Sequence, residues 1–153
     1  MEVADKGIAL IKEIAEKLSD QNQKEFFDKT AEALTLAKEY ATTEEKEARL
    51  LDAVIKYANQ SAFILFRQNE MTDEIAAKLR ELPTPEDTSA QVKTFNDARQ
   101  EKIDAVNEQH REIYEEEKDL DIFTGIIAGM TKEQAEKRMA EHEAQIREAS
   151  ANR

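Results

Sequence analysis

Apolar residues crowd most densely between Leu50 and Phe66, LLDAVIKYANQSAFILF. Drawn as a helix, this stretch sets Leu51, Val54, Ile55, Ala58, Ala62 and Leu65 on one face at i, i+3/i+4, i+7 spacing. Leu50, Tyr57, Phe63, Ile64 and Phe66 then fall on the remaining sides. A helix apolar around most of its girth belongs inside a protein, so the pattern predicts a central helix over residues 43–68 that other helices surround. Leu51, Val54, Ile55, Ala58 and Leu65 are its expected buried positions.

The flanking segments repeat the helical period with narrower stripes. Ala4, Ile8, Ile11, Ile14, Ala15 and Leu18 predict a helix over 3–18, which Ser19-Asp20-Gln21-Asn22 interrupts. Phe26, Phe27, Thr30, Leu34, Ala37 and Ala41 predict a second over 23–41, anchored by the two phenylalanines. Thr42 followed by Glu45 reads as a capping box for the central helix, and Thr72 caps a brief helix carrying Ile75, Leu79 and Leu82. Thr84, Pro85, Glu86 and Asp87 form a complete helix start. No breaker follows before Gly125, so one helix over 85–118 is expected, about 50 Å long at 1.5 Å per residue. Its stripe of Val92, Phe95, Ala98, Ile103, Val106, His110, Ile113 and Leu120 thins toward the end, and the helix outruns the first two. It is therefore expected to project as an arm.

Leu120 to Met130, LDIFTGIIAGM, is the second apolar concentration. It reads as a corner in which Gly129 stops a short helix and Thr131, with Gln134, caps the next. An alternative takes Gly125 and Gly129 as a small-residue face for close helix contact. A last helix over 132–149, with Ala135, Met139, His142, Ile146 and Ala149, then folds back antiparallel on the arm. Setting Leu120 beside Thr131 places Glu117 opposite Lys137 or Arg138 and Ile113 opposite His142. The expected fold is all-α: about six helices in one domain, with 1–106 as bundle core and 107–153 as arm and C-terminal helix.

Composition supports helices, with 40% hydrophobic and 37% charged residues but only 3 Gly, 2 Pro and no Trp in 153 residues. The absence of Cys excludes disulfides and thiolate zinc sites. The acids in MEVADKGIAL and the shortness of the longest apolar run, Ala62 to Phe66, predict no export signal and no membrane span, hence a cytoplasmic chain. Net charge is -12, from 34 acids against 22 bases, which disfavours nucleic-acid binding because phosphate neutralisation needs clustered Lys and Arg. Residues 83–119 hold 11 of the acids and 5 of the bases, so half of the excess sits in about a quarter of the chain.

Candidate chemistry is sparse. His110 and His142 both fall on apolar stripes, but the Glu-x-x-His pairing of bundle metal sites is missing, since Asn107 and Met139 stand three residues before them. Neither metal nor cofactor is expected. The acids lie between stripe positions, as solvated faces do. Ser19, Ser61, Ser89 and Ser150 sit in no nucleophile context, and glycine is too rare for a phosphate-cradling loop. A faint helix-turn-helix outline over 124–143 has its bases Lys132, Lys137 and Arg138, with Arg147 beyond, outnumbered by Glu133, Glu136, Glu141, Glu143 and Glu148.

The expected function is therefore non-catalytic: an acidic helical interaction module such as an assembly subunit, adaptor, chaperone or inhibitor. Its partner is a protein, with a basic surface or as a second copy, met through the arm and corner. The expected contact residues are Ile113, Glu115, Glu116, Glu117, Leu120, Ile122, Phe123, Ile126, Ile127 and Met130. The alternative is a small ligand-binding or enzymatic bundle with an inter-helix pocket, for which His110, His142, Tyr57, Asn59 and Gln60 are the polar candidates.

Overall fold

A computed structural model describes the backbone of residues 1–105 and 110–151, and the side chains in those ranges except 110–114, 146, 147 and 149–151. The described residues form helices and no strand: α1 (Glu2–Lys17), α2 (Gln21–Tyr40), α3 (Glu44–Arg67), α4 (Asp73–Arg80), α5 (Pro85–Ala105), α6 (His110–Ile127) and α7 (Lys132–Ala151). The all-α bundle is the expected fold class. No helix among the described residues is long and apolar enough to cross a membrane.

The core forms where α1, α2 and α3 meet. Ile11, Ile14 and Ala15 of α1, Phe27, Ala31, Leu34 and Ala37 of α2, and Leu50, Val54, Ile55, Ala58 and Leu65 of α3 all lie within one buried cluster. Each is at the stripe position that its helical period assigns, apart from Ala31 and from Leu50, which turns in on the far side of the α3 stripe. Capping follows the sequence at Thr72, whose hydroxyl accepts from the Ile75 amide at 3.2 Å, and at Thr84, which accepts from Asp87 at 3.2 Å. At α3 the cap falls one residue later than expected: Thr43, not Thr42, accepts from the Lys46 amide. Glu45 is thereby free of capping and reaches across to α5.

Two expectations about the second half are corrected. The single helix over 85–118 is in fact α5 and α6, running in opposite directions. In one straight helix Lys102 and Glu116 would stand about 21 Å apart, yet they form an ion pair at 3.2 Å. The reversal brings α6 back along α2 and α3, where Lys46, buried in the first turn of α3, pairs with Asp119. The driving force is apolar burial. A continuous helix would hold Leu120, Phe123 and Ile126 in water far from the bundle, whereas folding back stabilises by about 1.5–3 kcal/mol for each large side chain buried. Phe123, Ile126 and Ala135 belong to the same buried cluster as Ile11 and Leu65, so α6 and the start of α7 pack on the bundle rather than project from it.

The C-terminal helix does fold back antiparallel, but in a different register. Asp121 pairs with Arg138 at 3.2 Å and Lys118 approaches Glu143 at 4.0 Å, which places Glu117 near Glu143 rather than Lys137. The register moves because α6 continues to Ile127, through the expected corner. Gly129 then ends the helix with φ +96°, the Met130 amide bonding back to Gly125 O at 3.1 Å. Thr131 and Gln134 close a reciprocal capping box at 3.2 and 3.0 Å. Gly125 meanwhile faces Ala135, where a Cβ would come within 3.0 Å of the alanine methyl, so this glycine does serve close helix contact. The expected facing of Ile113 and His142, and the stripe positions Val106, Ile146 and Ala149, lie outside the described side chains.

Candidate functional site

Helix α3 has a dry face and a wet one. Val54, Ile55, Ala58 and Leu65 are fully buried, but Phe63 and Phe66 are 59% and 65% exposed, so the central helix is not surrounded on every side. The reason is the reach of α5, which runs antiparallel along the outer face of α3. Its Arg99 meets Glu45 at 2.7 Å, its Asn96 meets Arg49, and its Thr88 and Ser89 hydroxyls donate to Asp52 at 2.8 and 3.2 Å. Helix α5 begins at Pro85, only three residues before Thr88, and so gives out beside Asp52. Phe63 lies about 16 Å further along α3 and Phe66 about 21 Å.

The uncovered face is continuous by helix geometry, because residues three and four apart are surface neighbours. It runs from Tyr57 through Gln60 and Phe63 to Phe66 and Arg67, with the Arg67 guanidinium 5.6 Å from the Phe63 ring centre. At its edge Phe26 of α2, 49% exposed, stands edge-on to Tyr57 with ring centres 6.3 Å apart. Phe26 is thus a surface ring while Phe27 alone of the expected pair anchors α2 in the core. From Ala53 to Asn69 the chain carries no Asp or Glu, in a protein with 34 of them. The described charges on this face are Lys56, paired with Asp52 at 2.9 Å, and Arg67, with exposed Lys29 beside Phe26 and Tyr57 at its edge.

The residues expected to meet a partner are placed differently. Phe123 and Ile126 are 1% and 0% exposed, so they are core residues and the corner is not an open apolar patch. Leu120, Ile122, Ile127 and Met130 are half-buried against the core. Glu115, Glu116 and Glu117 are exposed, with Glu116 held by Lys102. Ile113 lies outside the described side chains.

The polar groups expected of a pocket do not converge. His142 is exposed beside an open hollow of about 310 Å³ that Asp121, Arg138 and Glu141 also line. Asn59 donates to Ile55 O at 2.8 Å on its own helix, Gln60 is exposed, and Tyr57 packs on Phe26. The His110 side chain lies outside the described ones. Among the described residues no three His, Asp or Glu side chains are grouped as a metal site would need. The shifted pKa values belong to structural pairs. Burial alone would push the Glu45 carboxyl up, but hydrogen bonds from Arg99 and then Arg49 outweigh it and hold the pKa below its ordinary value. Hydrogen bonds to Glu13 and to Asp97 raise those of Lys78 and Lys93.

No protein-family model, curated protein or solved structure matches the chain.

The pattern of α3 did not reveal its wet face, because apolarity on all sides reads the same whether a partner helix is in the same chain or another. The available signal was the missing acid between Ala53 and Asn69.

Proposed function

We propose that this chain is a non-catalytic helical interaction module that binds another protein through the outer aromatic face of the C-terminal half of α3. The observation that carries the reading is the exposure of Phe63 and Phe66, one helical turn apart on a single face. Large aromatic side chains concentrate at the centres of protein interfaces, and two of them beside Gln60 and Arg67 give an apolar middle with a polar rim. The partner fitting this face presents apolar side chains bordered by uncharged or acidic groups, since the described charges on it, Lys56 and Arg67, and Lys29 beside Phe26 and Tyr57, are all basic. A net charge of -12 on each copy opposes pairing of two copies at low salt, which favours a different protein.

The test is a photo-crosslinking residue in place of Gln60, with Phe63→Ser/Phe66→Ser as control, in the native cell. One discrete adduct that disappears in the double variant, while far-UV circular dichroism stays unchanged, is the expected result. Absence of an adduct, or one indifferent to the phenylalanines, rejects the face as an interface. An adduct of twice the chain's own mass replaces the hetero-partner by a second copy.

A further inference from the structure

We infer a second binding surface at the opposite end of α3: a groove between the starts of α1 and α3 and the middle of α5 that seats a basic segment of a partner protein, one bulky apolar side chain flanked by lysines or arginines. The groove encloses about 500 Å³, within the range of about 300–1,000 Å³ common to ligand sites. Leu51 and Phe95, both half-buried, and Val3, 38% exposed, supply its apolar wall, while Glu2, Glu44 and Glu47 line it as exposed carboxylates.

Leu51 is where the groove shows itself. Its stripe partners Val54 and Ile55 are fully buried, but Leu51, on the same face and expected to match them, stays partly open to the groove between the start of α1 and Gln91 and Phe95 of α5. An apolar floor of this kind takes an apolar side chain.

Charge then selects the flanks. The two bases in the first turns of α3 are engaged away from the groove, Lys46 with Asp119 and Arg49 with Glu45. Among the described residues no ion pair neutralises Glu2, Glu44 or Glu47, and no Lys or Arg lines the groove. About half a positive charge at each of the two helix starts leaves the rim negative. Carboxylates around a concave surface focus a negative field that repels acidic ligands. A purely apolar ligand would strip water from the carboxylates without replacing it, which is costly. A ligand with Lys or Arg on both sides of an apolar anchor satisfies floor and rim together.

The test titrates isotope-labelled full-length protein with three short peptides at low salt: one alternating Lys and Leu, one alternating Glu and Leu, one alternating Lys and Ser. The Lys/Leu peptide is expected to bind tightest and to shift the amide signals of Glu44, Glu47, Leu51 and Phe95. Glu44→Gln/Glu47→Gln is expected to weaken it about fivefold, whereas Glu115→Gln/Glu117→Gln, which removes the same net charge elsewhere, leaves it nearly unchanged. Phe63→Ser/Phe66→Ser is also expected to leave it unchanged, so this site and the aromatic face stand or fall separately. Equal weakening by both Glu pairs, equal binding of the Lys/Ser peptide, shifts centred elsewhere, or no binding overturns the proposal.

Discussion

Gly7 of α1 rests directly on Val54 of α3, so closely that a Cβ at position 7 would overlap Val54 Cγ1. This contact sets the approach of the two helices whose packing dominates the core. Gly7→Ala gains helix propensity of about 1 kcal/mol, but overpacking costs about 1–3 kcal/mol, so a net loss of stability is expected. Adding Val54→Ala opens a place for the new methyl. Chemical denaturation of the two single variants and the double should therefore give strongly non-additive changes, and additivity would show that the two positions do not touch.

Gly129 responds to the same substitution for the opposite reason. Nothing lies within 4 Å of a Cβ there, but φ is +96°. Gly129→Ala is expected to cost about 1–2 kcal/mol through backbone conformation alone. No second-site truncation should rescue it, which distinguishes it from Gly7→Ala in the same denaturation experiment.

Glu45 makes a pH prediction. Its carboxylate accepts from Arg49 at 3.1 Å and from Arg99 at 2.7 Å, and these hydrogen bonds hold its pKa below the ordinary value. A carboxyl whose pKa is depressed on folding stabilises the protein fully above its unfolded pKa, about 4.3, and loses that contribution as pH falls through the lower folded value. Glu45→Gln is expected to destabilise by about 1–3 kcal/mol at pH 7, because two largely buried guanidiniums lose a charged acceptor. The gap between wild type and variant should narrow below pH 4. A gap independent of pH would mean that the carboxylate's charge contributes nothing.

The dry half of the molecule was legible and the wet half was not. The stripes of α1 and of α2 apart from Phe26, the inner face of α3 apart from Leu51, and the caps at Thr72, Thr84 and Thr131 follow from period and side-chain chemistry, both local properties. The break between α5 and α6 is not local. Without Gly or Pro between Pro85 and Gly125, propensity favours one helix, and tertiary burial of Phe123 and Ile126 overrides it. The same nonlocality hides the burial of Phe123 and Ile126 from the sequence. With a straight helix before it, the apolar density at Leu120 to Met130 would lie at the surface. Once that helix reverses, the corner fills the bundle, and the apolar rings left over are those that α5 is too short to cover, Phe63 and Phe66.

That exchange of roles is measurable by comparing like with like. Phe123 is 1% exposed and packs with Ile126 and Ala135 in the common core, so Phe123→Ala removes a fully buried ring and is expected to cost about 3–5 kcal/mol. Phe63 and Phe66 are more than half exposed, and surface changes away from packing features fall within about 0.5 kcal/mol. The ring of Phe63 gives up its cation–π contact with Arg67, whose guanidinium is exposed to water. Thermal unfolding should thus separate the three phenylalanines sharply, Phe123→Ala lowering Tm by many degrees and Phe63→Ala and Phe66→Ala leaving it nearly unchanged. Equal losses at all three positions would mean that the outer face of α3 is packed in the free protein, and the aromatic interface would have to be abandoned. A small loss at Phe123 alone would instead detach α6 from the core and restore the projecting arm.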